Sequence, residues 1–327
     1  MRDRSSGTAP SCPPPVLATA YAPLLDAVRA LRWPARRRVG GTLPGAHRAR
    51  LRGPGGEFSE YRAYRQGDDP RRLDWRLLAR SDRAYVRLAD DHALLPTVAV
   101  VDASASMAFP AVGDARWAKW RQAAALAVGL LAVAHGAGDP VGAAVAAADG
   151  ARALAPRSRR GAVLDAAALL AAVEPAGALP LAPLVGRVPA GCRLVVVSDF
   201  LGDAGPALAA AAAHAAAGGD VYAVHVVAAD ELDVPAGIGV AEDPEDPRVR
   251  RPLDAAGRRA YGRAFAEWRA ELARAWRDAG TSYALVRDDE PPAWAVRRVV
   301  RGDAAAEVGS DAAAELAARG GPGGVGA

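Results

Sequence analysis

The sequence predicts an α/β protein with a mostly parallel sheet and helices on both faces. Short, fully apolar runs at 98–101 and 194–197 are typical of strands that are buried on both sides. Beyond Pro96 such runs alternate with segments in which apolar residues recur every three or four positions, as they do on helices. Because strands and helices alternate, we expect one α/β domain over residues 96–301.

The individual elements follow from the same two periodicities. Before the domain, the spacing predicts a short helix over 16–31, and breaks by Gly and Pro make the arginine-rich stretch 29–52 a loop. The predicted helices of the domain are 115–135, 162–173, 204–217 and a long amphipathic helix from the N-cap Asp254 to Ala279. The predicted strands are 98–101, 141–148, 194–197, 221–227 and 282–286.

Composition divides the chain into four parts. Residues 1–15 are rich in Ser and Pro and residues 302–327 in Gly and Ala, so we expect a disordered leader and a disordered tail. Residues 16–95 are expected to form a small N-terminal lobe against the domain at 96–301. No apolar stretch resembles a signal peptide or reaches the length of a membrane span, which predicts a cytoplasmic protein.

Charge and cysteine content exclude several classes of protein. The 327 residues carry a formal net charge of only +4, which permits an acidic partner without requiring nucleic acid. Lys119 is the only lysine, so arginine supplies almost all the positive charge, a bias typical of GC-rich genomes. Cys12 and Cys192 are the only cysteines, too few for a disulfide scaffold or a cysteine-rich zinc site.

Polar side chains follow two of the predicted buried strands. Asp102, Ser104 and Ser106 come directly after the first strand, and Asp199 ends the strand at 194–197. The carboxyl ends of such strands are where open α/β sheets bind ligands, and hard oxygen donors suit Mg²⁺. We therefore predict a metal site formed by these four residues. The alternative is that they only cap the following helix and its connecting loop.

A second motif precedes the domain and mixes carboxylates with arginines. It consists of Gly67, Asp68, Asp69, Arg71, Asp74, Trp75 and Arg80. One interpretation is an ion-pair network that fixes the N-terminal lobe against the sheet; another is a docking surface for a partner. A carboxylate-based hydrolase is a third, disfavoured because neither a histidine nor a nucleophile lies nearby in the sequence.

Together these motifs resemble a known family. The order Gly56-Glu57-Phe58, Gly67-Asp68-Asp69-Pro70-Arg71, Asp74-Trp75 and Asp102-x-Ser104-x-Ser106 is similar to the bacterial "domain of unknown function 58" family, whose members carry a von Willebrand factor A-like domain. The resemblance implies a von Willebrand factor A-like, Rossmann-like fold with a metal-ion-dependent adhesion site. It also implies a MoxR-type AAA+ ATPase as partner.

The resemblance further implies a third loop, whose threonine is a direct metal ligand. The matching segment is Gly177-Ala178-Leu179-Pro180-Leu181, with Leu179 at the threonine position. Because an alkyl group replaces a hydroxyl there, we expect Mg²⁺ to bind only weakly.

The function expected from these observations is a non-enzymatic interaction module or adaptor without catalytic residues. The chain has neither the Gly-Lys-Ser/Thr ending of a phosphate-binding loop nor a Gly-x-Ser-x-Gly elbow. Two alternatives remain open: a metal-dependent hydrolase that uses Asp102 and Asp199, and a nucleic-acid-binding protein that uses the basic stretch 29–52.

Overall fold

The computed structural model describes residues 15–37, 44–48, 57–66, 73–81, 83–90, 92–110, 118–147, 150–177, 180–202, 204–237, 239–243 and 248–302. Its strands are β1 (Pro44–Arg48), β2 (Glu57–Ala63), β3 (Tyr85–Asp90), β4 (His92–Ala93), β5 (Thr97–Val101), β6 (Val141–Ala147), β7 (Gly150–Arg157), β8 (Arg193–Ser198), β9 (Asp220–Val227), β10 (Val240–Glu242), β11 (Arg250–Pro252) and β12 (Ser282–Arg287). Its helices are α1 (Pro15–Val28), α2 (Trp75–Ser81), α3 (Ala118–Gly136), α4 (Ala162–Ala171), α5 (Ala182–Gly186), α6 (Ala204–Ala216), α7 (Ala229–Leu232), α8 (Ala255–Asp278) and α9 (Pro292–Arg301). Residues 1–14 of the predicted leader and 303–327 of the predicted tail lie outside the described residues.

A six-stranded sheet in the order β12-β9-β8-β5-β6-β7 forms the centre of the fold. Every neighbouring pair in it is parallel except β6 and β7, which are antiparallel. The predicted fold class, a mostly parallel sheet with helices on both faces, is confirmed. Among the described residues, three two-stranded sheets accompany it: β1 with β4, β2 with β3, and β10 with β11.

Alternating residues of the buried strands belong to two separate hydrophobic cores, one on each face of the sheet. In β5, Ala99 and Val101 join the core beneath α1, α3, α4 and α9. Val98 and Val100 join the core on the opposite face, beneath α5, α6 and α8. This alternation is the period-2 geometry of a strand, and it explains why the run at 98–101 is apolar throughout.

The structure contains elements that the sequence did not predict. Strand β7 breaks the expected strand–helix alternation, and α9 follows the strand expected to be the last one. Strand β7 is an edge strand whose residues are exposed or half-buried, and it is rich in alanine, a weak strand former. Helix α9 buries its short apolar face of Ala295, Val296, Val299 and Val300, which is interrupted by arginines.

The loop prediction for 29–52 is wrong in part. This stretch contains β1, which forms by pairing with β4 although it has no apolar run. Trp33 is only 2% exposed and packs edge-on against Tyr222, with a ring-centroid distance of 4.8 Å. The guanidinium of Arg193 lies 4.1 Å from the centroid of the Trp33 ring. Residues of the arginine-rich stretch therefore belong to the folded structure.

The long helix α8 agrees with its sequence pattern. The Asp254 side chain accepts a hydrogen bond from the Gly257 amide at 2.6 Å, as expected of an N-cap. Leu272 and Trp276 on its apolar face pack against the sheet. Within the described part of the chain, no helix combines the length and the apolar character needed to cross a membrane.

Candidate functional site

The site begins where β5 and β8 end side by side at the carboxyl edge of the sheet. Asp102 is the first residue after β5, and its amide donates to the Val197 carbonyl at 2.9 Å. Its carboxylate, buried in a residue only 5% exposed, accepts a hydrogen bond from the Ser104 amide at 2.8 Å and another from the Ser198 hydroxyl at 2.5 Å. These bonds hold the carboxylate in one orientation.

The two serines of the motif lie close to Asp102. Both are buried, and their hydroxyl oxygens are 3.1 Å apart. A 3-10 turn over Ala105–Ala108 follows Ser104 and sets this spacing. Asp102, Ser104 and Ser106 thus lie together in one tight loop, as the sequence predicts.

A third segment of the chain borders this loop. The Ala176 amide donates to the Ala103 carbonyl at 2.9 Å, and the Ala105 amide donates to the Gly177 carbonyl at 2.8 Å. The segment expected to supply the third loop is therefore adjacent to the Asp102–Ser106 stretch. Leu179 itself lies outside the described residues.

Asp199 occupies a constrained turn after β8. The next residue, Phe200, is 2% exposed and has a φ of 54°, a left-handed conformation that L residues other than Asn and Asp rarely adopt. The turn is held by the Phe200 amide, which donates to the Ser198 hydroxyl at 2.8 Å, and by the Leu201 amide, which donates to the Asp199 carboxylate at 3.1 Å. Such strained residues concentrate at functional sites, because the surrounding structure must enforce them.

Two further residues of this site, Lys119 and Glu231, are not predicted from the sequence. The ammonium of Lys119, in the first turn of α3, donates to the Asp199 carboxylate at 2.6 Å and to the Glu231 carboxylate at 2.8 Å. Burial alone would lower the pKa of Lys119, but the two carboxylates outweigh that effect and its pKa is raised. One signal was available: in a chain that uses arginine almost everywhere, a single lysine marks a position that requires a compact ammonium.

The Asp102 carboxylate is easier to protonate than that of an exposed aspartate. Burial, followed by the nearby charge of Asp199, raises the pKa of Asp102 to about 6, although hydrogen bonds from Ser198 and Ser104 oppose this. A cation beside Asp102 would favour its ionised form.

The donor set partly fits a divalent metal ion. Asp102, Ser104 and Ser106 offer one carboxylate and two hydroxyls within one loop, which is the oxygen chemistry that Mg²⁺ prefers. Asp199 differs, because Lys119 already binds its carboxylate. Among the described residues, no group of three or more His, Cys, Asp or Glu side chains could hold a metal ion. A metal would therefore depend on the serine hydroxyls and on water.

Comparison with known proteins assigns the family. The family model described as "protein of unknown function DUF58" matches residues 60–271, most of the α/β domain and part of the lobe. The chain belongs to the DUF58 family. An uncharacterized protein of Mycobacterium tuberculosis is 34% identical to this DUF58 chain over 278 residues, which cover 81% of the chain and 85% of the relative. An uncharacterized protein of Mycobacterium bovis matches with the same identity and coverage.

Three solved structures that are similar to this DUF58 chain each give a TM-score below 0.5. BatB from Bacteroides thetaiotaomicron gives a TM-score of 0.41 at 20% identity, covering 64% of this chain and 97% of BatB. An aerotolerance-related membrane protein from Bacteroides fragilis gives 0.39 at 19% identity, covering 64% of this chain and 98% of that one. The VWA domain of SpRpn10 gives 0.37 at 8% identity, covering 63% and 95%. The family assignment depends on the family model and the mycobacterial relatives.

The second motif of this DUF58 chain is only partly described. Gly67, Asp68, Asp69 and Arg71 lie outside the described residues. Asp74 caps α2, since its carboxylate accepts hydrogen bonds from the Arg76 and Leu77 amides at 3.0 and 2.9 Å and from the Tyr61 hydroxyl at 2.9 Å. Trp75, by contrast, is 62% exposed, and Arg80 is exposed on the same helix.

Proposed function

We propose that this protein is a non-enzymatic interaction module that binds a partner at the carboxyl edge of its sheet. The observation that supports this most is the position of Asp102, Ser104 and Ser106. In the sheet, β5 and β8 are neighbours. The chain continues from β5 to β6 on one side and from β8 to β9 on the other, so the loops after β5 and β8 run in opposite directions. In open α/β sheets, ligands bind in the crevice at such a topological switch point.

The exposed surroundings of the site favour a protein over a small molecule as its ligand. Leu201, two residues beyond Asp199, is 44% exposed although it is a large apolar side chain. The buried centre of a protein interface is enriched in apolar side chains, so an exposed leucine beside the site is a candidate contact for a protein partner. Leu201 would pack against the partner while the polar loop contacts its acidic group.

Metal dependence is part of the proposal. A bound Mg²⁺ would supply an open coordination position for a carboxylate of the partner. The oxygens of Asp102, Ser104 and Ser106 would hold the ion. Ser198 would orient the Asp102 carboxylate through its 2.5 Å hydrogen bond. Because this set offers few charged ligands, we expect the ion to bind weakly until a partner contributes a carboxylate.

The proposed partner is a MoxR-type AAA+ ATPase, on the basis of the family resemblance, with the module acting in protein maturation or complex assembly. The N-terminal lobe offers a second contact for it. Trp75 is 62% exposed and lies on α2 with the exposed Arg76 and Arg80. An aromatic side chain beside two cations suits an acidic segment of the partner, since aromatic and arginine residues are enriched in interfaces.

A binding measurement with purified proteins tests the proposal. Biolayer interferometry would compare the wild type with Asp102→Ala, Leu201→Glu and Trp75→Ala against a MoxR-type ATPase from the same organism, in Mg²⁺ and in EDTA. We expect each variant, and EDTA, to weaken binding by about tenfold or more, which is about 1.4 kcal/mol. Ser158→Ala serves as the control, because Ser158 is exposed and follows the end of β7 that pairs with the start of β6, at the amino edge of the sheet.

The outcomes separate the parts of the proposal. Equal binding by the wild type, Asp102→Ala and Leu201→Glu would reject the carboxyl edge as the binding surface. Equal binding in Mg²⁺ and EDTA would reject metal dependence alone. Phosphoester turnover that requires both Asp102 and Asp199 would instead identify a metal-dependent hydrolase.

A further inference from the structure

Lys119 connects three elements beneath the proposed binding site. It lies in the first turn of α3, and its ammonium contacts Asp199 after β8 and Glu231 in α7, at 2.6 and 2.8 Å. The Lys119 side chain is 0% exposed, that of Asp199 1% and that of Glu231 13%. The three side chains form a buried ion-pair cluster, in which the Lys119 ammonium lies between two carboxylates.

The Glu231 end of the cluster is also fixed. The second oxygen of its carboxylate accepts a hydrogen bond from the Ala228 amide at 2.8 Å, at the start of α7. Glu231 therefore cannot follow Lys119 freely if the ammonium moves. Lys119 is held between two carboxylates whose own positions are set by main-chain hydrogen bonds.

The cluster bears directly on the metal ion of the proposed function. Asp199 is the second carboxylate expected to serve a divalent ion, yet its Oδ2 atom is already bound by an ammonium. To reach a metal, this oxygen would have to leave Lys119 and strand a buried charge, which is strongly unfavourable. A divalent ion that approached Asp199 without displacing the ammonium would be repelled by it.

We propose that Lys119 is a built-in cation that competes with a divalent metal ion for Asp199 and so keeps the metal affinity of the site low. This inference rests on the metal-dependent form of the proposed function. Lys119 acts here as a positioning residue, since it acts on the ion through Asp199. Removal of the ammonium frees Asp199 and adds a second carboxylate to the oxygens that Asp102, Ser104 and Ser106 offer.

Calorimetric titration of the full chain with MgCl₂ and MnCl₂ tests the inference. Lys119→Gln removes the charge but keeps an amide that can donate to Asp199, whereas Lys119→Met removes both. We expect Mg²⁺ to bind both variants about tenfold more tightly than the wild type or better. Adding Asp199→Asn to either variant should remove the gain. In thermal unfolding, Mg²⁺ should raise the midpoint of both variants more than that of the wild type.

A matched control excludes a general effect of charge. Arg121→Gln removes one positive charge from the exposed side of α3, two residues further along, and should leave the Mg²⁺ affinity unchanged. A folded Lys119→Gln variant with wild-type Mg²⁺ affinity would overturn the inference and leave the proposed function standing. A wild type and variants that all fail to bind divalent ions would overturn both the inference and the metal dependence of the function.

Discussion

His47 and Asp139, which lie 92 residues apart in the sequence, share a buried hydrogen bond of 2.7 Å between Nε2 and Oδ2. The Ala35 amide donates to Nδ1 of the same ring at 3.2 Å, so the Nε2–H group of His47 donates to the carboxylate. Asp139 also accepts from the Leu95 amide at 2.9 Å, and Arg193 lies 4.0 Å from it. This network joins the N-terminal segment to the amino edge of the sheet.

Loss of the Asp139 carboxylate should destabilise the fold strongly. Asp139→Ala leaves the buried His47 without its acceptor and removes the carboxylate that lies 4.0 Å from the buried Arg193 guanidinium. Breaking such a buried pair typically costs about 3–5 kcal/mol. Urea unfolding followed by circular dichroism would measure the change in the free energy of unfolding. Glu242→Ala is the control, since it removes an exposed pair with Arg250 and should cost at most about 1 kcal/mol. Similar losses in the two variants would contradict the importance of the buried network.

The α/β domain should not fold well without the preceding residues. A fragment of residues 96–301 lacks α1, Trp33 and His47, which cover part of the core and the buried Arg193 and Asp139. We expect this fragment to be poorly soluble or to unfold without a cooperative transition. A fragment of residues 15–302 keeps these contacts and is the control. A 96–301 fragment that melts cooperatively near the temperature of the control would show that the two parts fold independently.

Acid should destabilise the protein partly through His225. Burial lowers the pKa of this histidine from 6.5 to about 3, so it takes up a proton in the unfolded chain but not in the folded one. Its contribution to stability is complete above pH 6.5 and is lost as the pH falls towards 3. Between pH 7 and pH 5 this amounts to about 2 kcal/mol, which His225→Gln should remove from the pH dependence of the unfolding free energy.

Tyr283→Phe distinguishes proton linkage from a packing effect at His225. Tyr283 hydrogen-bonds to His225 Nδ1 at 2.5 Å, so its replacement lowers stability but keeps the buried imidazole. We expect the pH dependence of this variant to remain close to that of the wild type. A flattened pH profile in Tyr283→Phe but not in His225→Gln would contradict the assignment.

Two glycines should respond to alanine in opposite directions. A Cβ atom at Gly142 in β6 would lie 2.4 Å from the Leu154 carbonyl oxygen, so Gly142→Ala must push β7 away. We expect a loss of about 1–3 kcal/mol, as for other overpacked positions. Gly262 in α8 has open space around it, and Gly262→Ala should stabilise the protein by about 0.5–1 kcal/mol. Thermal melts of the two variants would show shifts of opposite sign.

The third loop can be tested through its leucines. If position 179 faces the metal, Leu179→Thr adds a hydroxyl ligand and should tighten Mg²⁺ binding in calorimetry, whereas Asp102→Ala should abolish it. Leu181→Thr is the matched control, because Leu181 packs against the core beneath α5. Tighter binding in Leu181→Thr alone would show that the loop is aligned two residues out of register.

The sequence predicts those parts of the fold in which a short stretch of residues carries a clear pattern of its own. The run at 194–197 agrees with β8 because every residue of that strand is buried, and the motif at Asp102 is contiguous in the chain. Strand β7 and β1 could not be predicted, since edge strands depend on their neighbours more than on their own apolar pattern. The contacts of Lys119 span 80 and 112 residues, so no local pattern indicates which carboxylates it meets.

The burial of Lys119 gives the protein a natural reporter of its own opening. As the only lysine of the sequence, it is the single internal cleavage site for a lysine-specific endoprotease and the single side-chain target for amine-reactive reagents. Its side chain is fully enclosed in the folded state, so neither reagent can reach it until the start of α3 separates from Asp199 and Glu231. The rate of cleavage after Lys119 would therefore report the local opening of the structure around this side chain, without any added label.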